Sequence, residues 1–192
     1  MYKRTIFNTP LLTPLLRLLV IPLYAVFGWK VKGRPGDARQ MVMIAAPHTS
    51  NWDFILMLMV VFILRLDLYW MGKMSLFPWP VSGLMKYLGG IPVDRSASNN
   101  VVEQMIAMYA KGQPLVLLNT PEGTRGKVRA WKTGYYHIAA GAGVPVQPAY
   151  VNAPDKVVGF LDPFITGADA EADLAEIQGL YRSFEGIRPE LS

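Results

Sequence analysis

Residues 42–64 read VMIAAPHTSNWDFILMLMVVFIL, and the order of events within them decides the fold. Residues 42–46 are a short, unbroken apolar run that halts at Pro47, the pattern of a buried strand. A polar turn follows, in which Asn51 can cap a helix. Residues 54–64 are then apolar on every side, so this helix is either central to a core or pressed against lipid. A buried strand feeding a helix through a polar turn is the repeating unit of an α/β domain.

The same alternation continues downstream. Residues 68–71 read as a strand, after which Pro78 and Pro80 introduce a short helix closed by Gly89 and Gly90. Further strands are predicted at 91–93, 115–118 and 144–151. Helices are predicted at 99–111, at 131–140 and, with an acidic solvated face, at 171–184. The expectation is an α/β fold, a single domain with a central mixed sheet flanked by helices.

Composition bounds what such a domain can do. The chain has 192 residues, a length that suits one domain. Charged residues make up 17% against 52% apolar, which excludes intrinsic disorder. With no cysteine there is no disulfide framework and no thiolate nucleophile or metal ligand, and two histidines leave little room for a zinc site. No P-loop, dinucleotide fingerprint or HExxH motif occurs.

Upstream of residue 40 the charge is one-sided. Seven basic residues face Asp37 alone, whereas residues 155–192 carry eight acids against Lys156, Arg182 and Arg188. A basic end implies an anionic partner, either nucleic acid or lipid. Here the cations sit among leucines rather than in a polar patch, which points to a membrane lipid surface and away from nucleic acid. Arg4, Arg17 and Lys30 bracket two uncharged runs of twelve residues, each too short to span a bilayer. Joined, they would bury Arg17 and carry Pro10, Pro14 and Pro22. No small-residue cleavage site clearly follows them, which disfavours a signal peptide. Residues 1–30 are therefore predicted as a broken helical segment lying at a membrane interface, with 31–192 as the domain proper. Tyr24 and Trp29 would sit near the headgroups, and Lys30, Lys32 and Arg34 would face lipid phosphates. The competing reading packs this segment into the core.

Polar residues with chemical potential cluster just after the strands, where open α/β sheets place their sites. In the first cluster, His48 lies in the strand-to-helix turn and Asp53 in the first helical turn. An aspartate on Nδ1 would fix the imidazole tautomer and leave Nε2 free as a base. Read alone, the same residues also fit a helix cap at Ser50 or Asn51, with His48 as a turn residue. The second cluster is Gly89-Gly90-Ile91-Pro92-Val93-Asp94-Arg95 and the third is Pro121-Glu122-Gly123-Thr124-Arg125. Each places an arginine, a bidentate phosphate ligand, beside glycines that allow close backbone approach. Read alone, Pro-Glu-Gly is a turn and Arg125 a solvated charge. The fourth, Val144-Pro145-Val146-Gln147-Pro148, reads as an edge strand.

Together and in this order, from about residue 29 to 150, these blocks closely resemble the glycerolipid acyltransferases. The resemblance implies His48 as general base with Asp53 orienting it, and Lys73 and Arg95 on the acceptor's phosphate. Glu122, Gly123, Thr124 and Arg125 would complete the acceptor site, with Pro145 shaping a wall nearby. It also implies an acyl thioester donor, acyl-CoA or acyl-carrier protein, with no metal and no bound cofactor. The acceptor would be a lysolipid, foremost 1-acylglycerol 3-phosphate, acylated to phosphatidic acid at the cytoplasmic face of a membrane. Direct transfer needs no enzyme nucleophile, and an acyl intermediate on Ser50 is the lesser route.

The chain departs from the family pattern at Thr120, where an aromatic is usual, at Gly126, where a serine is usual, and at Gln147, where an apolar residue is usual. These departures bear on the acceptor, which could be glycerol-3-phosphate, another lysophospholipid or an aminolipid. A non-catalytic lipid-binding protein on the same fold is the alternative of a different class. His137 is read as an ordinary helix residue, and the ten methionines as core or as the lining of an acyl groove.

Overall fold

The computed structural model of the chain describes residues 4–94 and 98–191. Helix α1 (Leu12–Val26) leads into β1 (Lys30–Lys32), β2 (Gln40–Ala46), α2 (Trp52–Leu64), β3 (Leu68–Lys73), α3 (Ser82–Tyr87) and β4 (Gly90–Val93). Then come α4 (Ser98–Tyr109), β5 (Leu115–Asn119), α5 (Gly134–Ala142), β6 (Val146–Asn152), β7 (Val157–Phe160) and α6 (Ala170–Gly179). The strands form one seven-stranded sheet in the order β1-β7-β6-β2-β5-β3-β4. The β6–β7 pairing is antiparallel and the others are parallel, so the sheet is mixed and flanked by helices.

Strand β2 is apolar throughout because both its faces are covered. Val42, Ile44 and Ala46 face a core shared with α4, α5 and α6. Met41 and Met43 face the other way, into a cluster with Val61 and Phe62 of α2. A strand without polar alternation is thus the direct consequence of its central place in the sheet.

Strands β1 and β7, of three and four residues, were not expected from the sequence. They are too short to show a hydrophobic period, and Lys30 and Lys32 now lie on the edge strand β1. The terminal helix is shorter than expected and stops at Gly179. Beyond it Tyr181 meets Trp131, and Phe184 stacks on Tyr150 at 3.8 Å between ring centroids.

The N-terminal segment differs in three respects from its sequence reading. Helix α1 begins only at Leu12 and runs unbroken through Pro22. Its inner face, through Leu16, Val20 and Tyr24, packs on α2 and the sheet. Tyr24 is therefore buried beside Val151 and Val158 rather than set near headgroups. Arg17 turns inward, and its Nε donates to the Ile63 carbonyl at 3.2 Å. That carbonyl lies in the last turn of α2, where no intrahelical partner exists. The outer face of α1 remains apolar and exposed, through Leu15, Leu18, Leu19, Leu23 and Val26. Among the described residues no helix is long and apolar enough to cross a membrane.

Candidate active site

Strands β2, β5, β3 and β4 are parallel neighbours, so their carboxyl ends share one edge of the sheet. Loops far apart in sequence converge there for that reason alone. β2 delivers His48, β3 ends at Lys73, and β5 leads into the turn that carries Glu122 to Arg125. β4 leads towards Arg95, which lies outside the described residues.

His48 Nδ1 is 3.0 Å from Asp53 Oδ2. The same oxygen accepts the backbone N–H groups of Thr49 at 2.9 Å and Ser50 at 2.8 Å. Asp53 thus satisfies free amides at the start of α2, where a negative charge also suits the helix dipole. Ser50 Oγ accepts the Trp52 N–H at 3.2 Å, and Asn51 makes no side-chain cap. With Nδ1–H directed at a carboxylate, Nε2 is left as the acceptor nitrogen. The imidazole is 21% exposed and lines a cavity.

Glu122 has turned inward. Its Oε2 accepts the His48 backbone N–H at 2.7 Å. Burial raises the carboxyl above its ordinary value, and the hydrogen bond from His48 opposes that rise. The carboxylate therefore holds the backbone of the His48 turn. Gly123 follows at φ +67°, with the aliphatic arm of Lys132 lying over it. Gly123, Thr124, Arg125 and Lys73 line the same cavity as His48.

That cavity holds about 680 Å³ and runs between α2 and the sheet. Beyond the polar end its walls are apolar, with Ala45, Leu118 and Ala149 from the sheet and Met57, Val60 and Val61 from α2. Four of the methionines, Met43, Met57, Met71 and Met85, contribute to it.

Two positions tied to the acceptor by resemblance do other work. Gln147 is fully buried. Its Oε1 accepts the Gly36 N–H at 2.8 Å, and its Nε2 donates to the Leu161 carbonyl at 2.7 Å. Its amide therefore ties two loops together. The Pro145 carbonyl accepts from Val42 N–H, near the start of β2. Since β2 and β6 run parallel, Pro145 lies at the opposite edge of the sheet from His48. His137 is exposed on α5, away from the cavity lining.

Thr49 escaped the sequence reading. It is buried, and its Oγ1 accepts the Arg188 backbone N–H at 3.0 Å, so the C-terminal segment is tied to the His48 turn. Nothing in the sequence marks such a bond, because its donor is a main-chain amide. Among the described residues no three His, Asp or Glu side chains gather as a metal site.

Comparison with known proteins places this geometry in context. A model described as Acyltransferase matches residues 30–152. The 1-acyl-sn-glycerol-3-phosphate acyltransferase of Haemophilus influenzae is 32% identical over 136 residues, covering 66% of this chain and 55% of that protein. That of Escherichia coli is 32% identical over 147 residues, covering 71% and 58%. The human 1-acyl-sn-glycerol-3-phosphate acyltransferase alpha is 26% identical over 152 residues, covering 72% and 51%. The chain spans only somewhat more than half the length of these curated relatives. The fold matches the crystal structure of the 1-acyl-sn-glycerophosphate (LPA) acyltransferase PlsC from Thermotoga maritima with a TM-score of 0.59. That match covers 91% of this chain and 82% of the other at 18% identity.

Proposed function

The chain belongs to the acyltransferase family, and from that premise we propose that it transfers a fatty acyl group from an acyl thioester to the free hydroxyl of a lysolipid. The acceptor is 1-acylglycerol 3-phosphate, the product is phosphatidic acid, and the donor is acyl-CoA or acyl-carrier protein. The observation that carries this reading is the His48–Asp53 pair at the polar end of an apolar cavity that Lys73 and Arg125 also line.

In this reading His48 Nε2 takes the proton of the acceptor hydroxyl as that oxygen attacks the thioester carbonyl. A C–O ester bond forms, the C–S bond breaks, and the thiolate leaves and is protonated. Asp53 holds the imidazole in the productive tautomer and stabilises its charged form. Such a base supplies about 10²–10⁴ of the rate. Lys73, Arg95 and Arg125 provide cations for the acceptor phosphate, Arg through bidentate contacts. Gly123 and Thr124 supply backbone and hydroxyl beside them, while Glu122 acts on the acceptor site through the His48 turn. The apolar cavity takes an acyl chain, and no bound cofactor or metal takes part. The exposed apolar face of α1, with Arg34 and the edge-strand lysines beyond it, suits a membrane surface on the cytoplasmic side, where thioester donors are made.

The test is thiol release from acyl-CoA and from acyl-carrier protein by purified protein in mixed micelles. Lysophosphatidic acid is compared with glycerol-3-phosphate, other lysophospholipids and a hydroxylated aminolipid, with His48→Ala as control. His48-dependent turnover on lysophosphatidic acid is the expected result. Turnover on another acceptor would favour the second reading, which the cavity-lining Thr120 motivates. Silence with every acceptor and both donors, in folded protein, would favour a non-catalytic lipid-binding role.

A further inference from the structure

The stretch between β3 and β4 turns apolar side chains to solvent in an ordered way. Met74, Leu76, Trp79 and Leu84 are each more than half exposed, Trp79 at 91%. They are not loosely held. Phe77, in their midst, is buried and stacks on Trp70 with ring centroids 5.8 Å apart. Gly72 makes room for that stack, since a Cβ there would come within 2.8 Å of the Phe77 ring. Trp70 Nε1 donates to the Leu88 carbonyl at 2.8 Å and closes the end of α3 onto the sheet. An anchored segment that still presents tryptophan, leucine and methionine outward has an unmet apolar partner.

Charge identifies the partner. No acidic residue occurs from Leu68 to Val93, and the only charges there are Lys73 and Lys86. Cations flanking an exposed tryptophan and leucines suit an anionic bilayer. Lys86 can reach a lipid phosphate while the indole rests at headgroup depth, and Lys73 stays with the cavity. Position strengthens the match. Leu76 and Ile55 of α2 are both exposed and both line the cavity, so the cavity reaches the surface beside this segment and beside α2. Trp52, also exposed, stands beside Ile55 at the start of α2.

We propose that residues 74–84 are a second membrane-contact element, seated in an anionic bilayer beside the cavity and independent of α1. The inference rests on the membrane-surface reading given above.

The experiment measures binding to vesicles of phosphatidylcholine and phosphatidylglycerol. Trp79→Ser combined with Leu84→Ser should weaken binding about tenfold or more relative to wild type. Leu15→Ser with Leu19→Ser on α1 should weaken it separately. Unchanged binding by the Trp79/Leu84 variant, or no vesicle binding by wild type, overturns the proposal. Trp79→Phe keeps the apolar bulk and guards against misfolding as an explanation. It should bind like wild type yet lose part of the tryptophan emission quenched by bilayer-embedded bromolipid, and unchanged quenching overturns the proposal. Binding is read without turnover, so the two readings fail separately. A protein that binds through 74–84 but releases no thiol refutes acyl transfer alone, and an active enzyme held by α1 alone refutes this inference alone.

Discussion

Asp53 reaches His48 from the first turn of the helix that His48 precedes, and its Oδ2, 3.0 Å from Nδ1, is the same oxygen that gathers the Thr49 and Ser50 amides. One carboxylate oxygen therefore starts α2 and orients the imidazole. The two tasks separate on mutation. His48→Ala should lower thiol release by about 10²–10⁴ and leave stability near wild type, because the Asp53 contacts to backbone survive. Asp53→Asn should lower activity comparably and also cost about 2 kcal/mol, as two charge-assisted bonds become neutral ones. Urea unfolding of both variants beside the activity assay checks this, and wild-type stability for Asp53→Asn would contradict the shared role.

Glu122 carries the pH prediction. Burial raises its folded pKa above the unfolded value, so folding favours its protonated form. The stability this contributes is fully present below the unfolded pKa and is lost as pH rises through the folded one. Glu122→Gln stays neutral and can still accept the His48 N–H. The variant should therefore gain stability relative to wild type as pH rises from about 4 through the folded pKa of Glu122. Paired unfolding curves across that range test it, and a gap that shrinks with rising pH would refute it.

Thr49→Val keeps the shape of the side chain and removes the acceptor for the Arg188 N–H. Losing this part-buried hydrogen bond costs about 0.5–1.5 kcal/mol. Amide exchange near residue 188 should quicken in the variant, and unfolding should shift to lower denaturant. Retention of wild-type protection at Arg188 would show that the strap is held elsewhere.

Gly123→Ala meets two obstacles of unequal weight. Its Cβ would lie 2.8 Å from the Lys132 side chain, which is exposed and able to move aside. The backbone at φ +67° cannot be avoided, and a non-glycine residue there costs about 1–2 kcal/mol. Activity should fall more than stability, because the shifted turn carries Glu122 and with it the His48 backbone. Activity equal to wild type at lowered stability would mean that Gly123 serves folding alone.

Much of this was legible in the chain because it is local. Strand β2 announces itself by an apolar run without alternation, which only burial on both faces explains. His48 and Asp53 are five residues apart, so a strand-to-helix turn suffices to bring them together. The motif turns declare themselves through glycine and proline. Strands β1 and β7 were not legible, since three or four residues bounded by lysines carry no period. The partners of Glu122, Thr49 and Gln147 were hidden for a different reason. Each bonds main-chain amides or carbonyls, and these groups are the same at every position and leave no mark in a sequence.

Residue identity and local spacing were enough to determine an α/β domain, a histidine and an aspartate within reach of each other, and a basic apolar N-terminal segment. Only the tertiary structure decided that His48, Lys73, Glu122 and Arg125 share one edge, because that follows from the neighbouring strands β2, β5 and β3 running parallel. It also decided which face of α1 is outward. Leucines surround that helix, and packing of Leu16, Val20 and Tyr24 against α2 and the sheet selects the side that remains exposed.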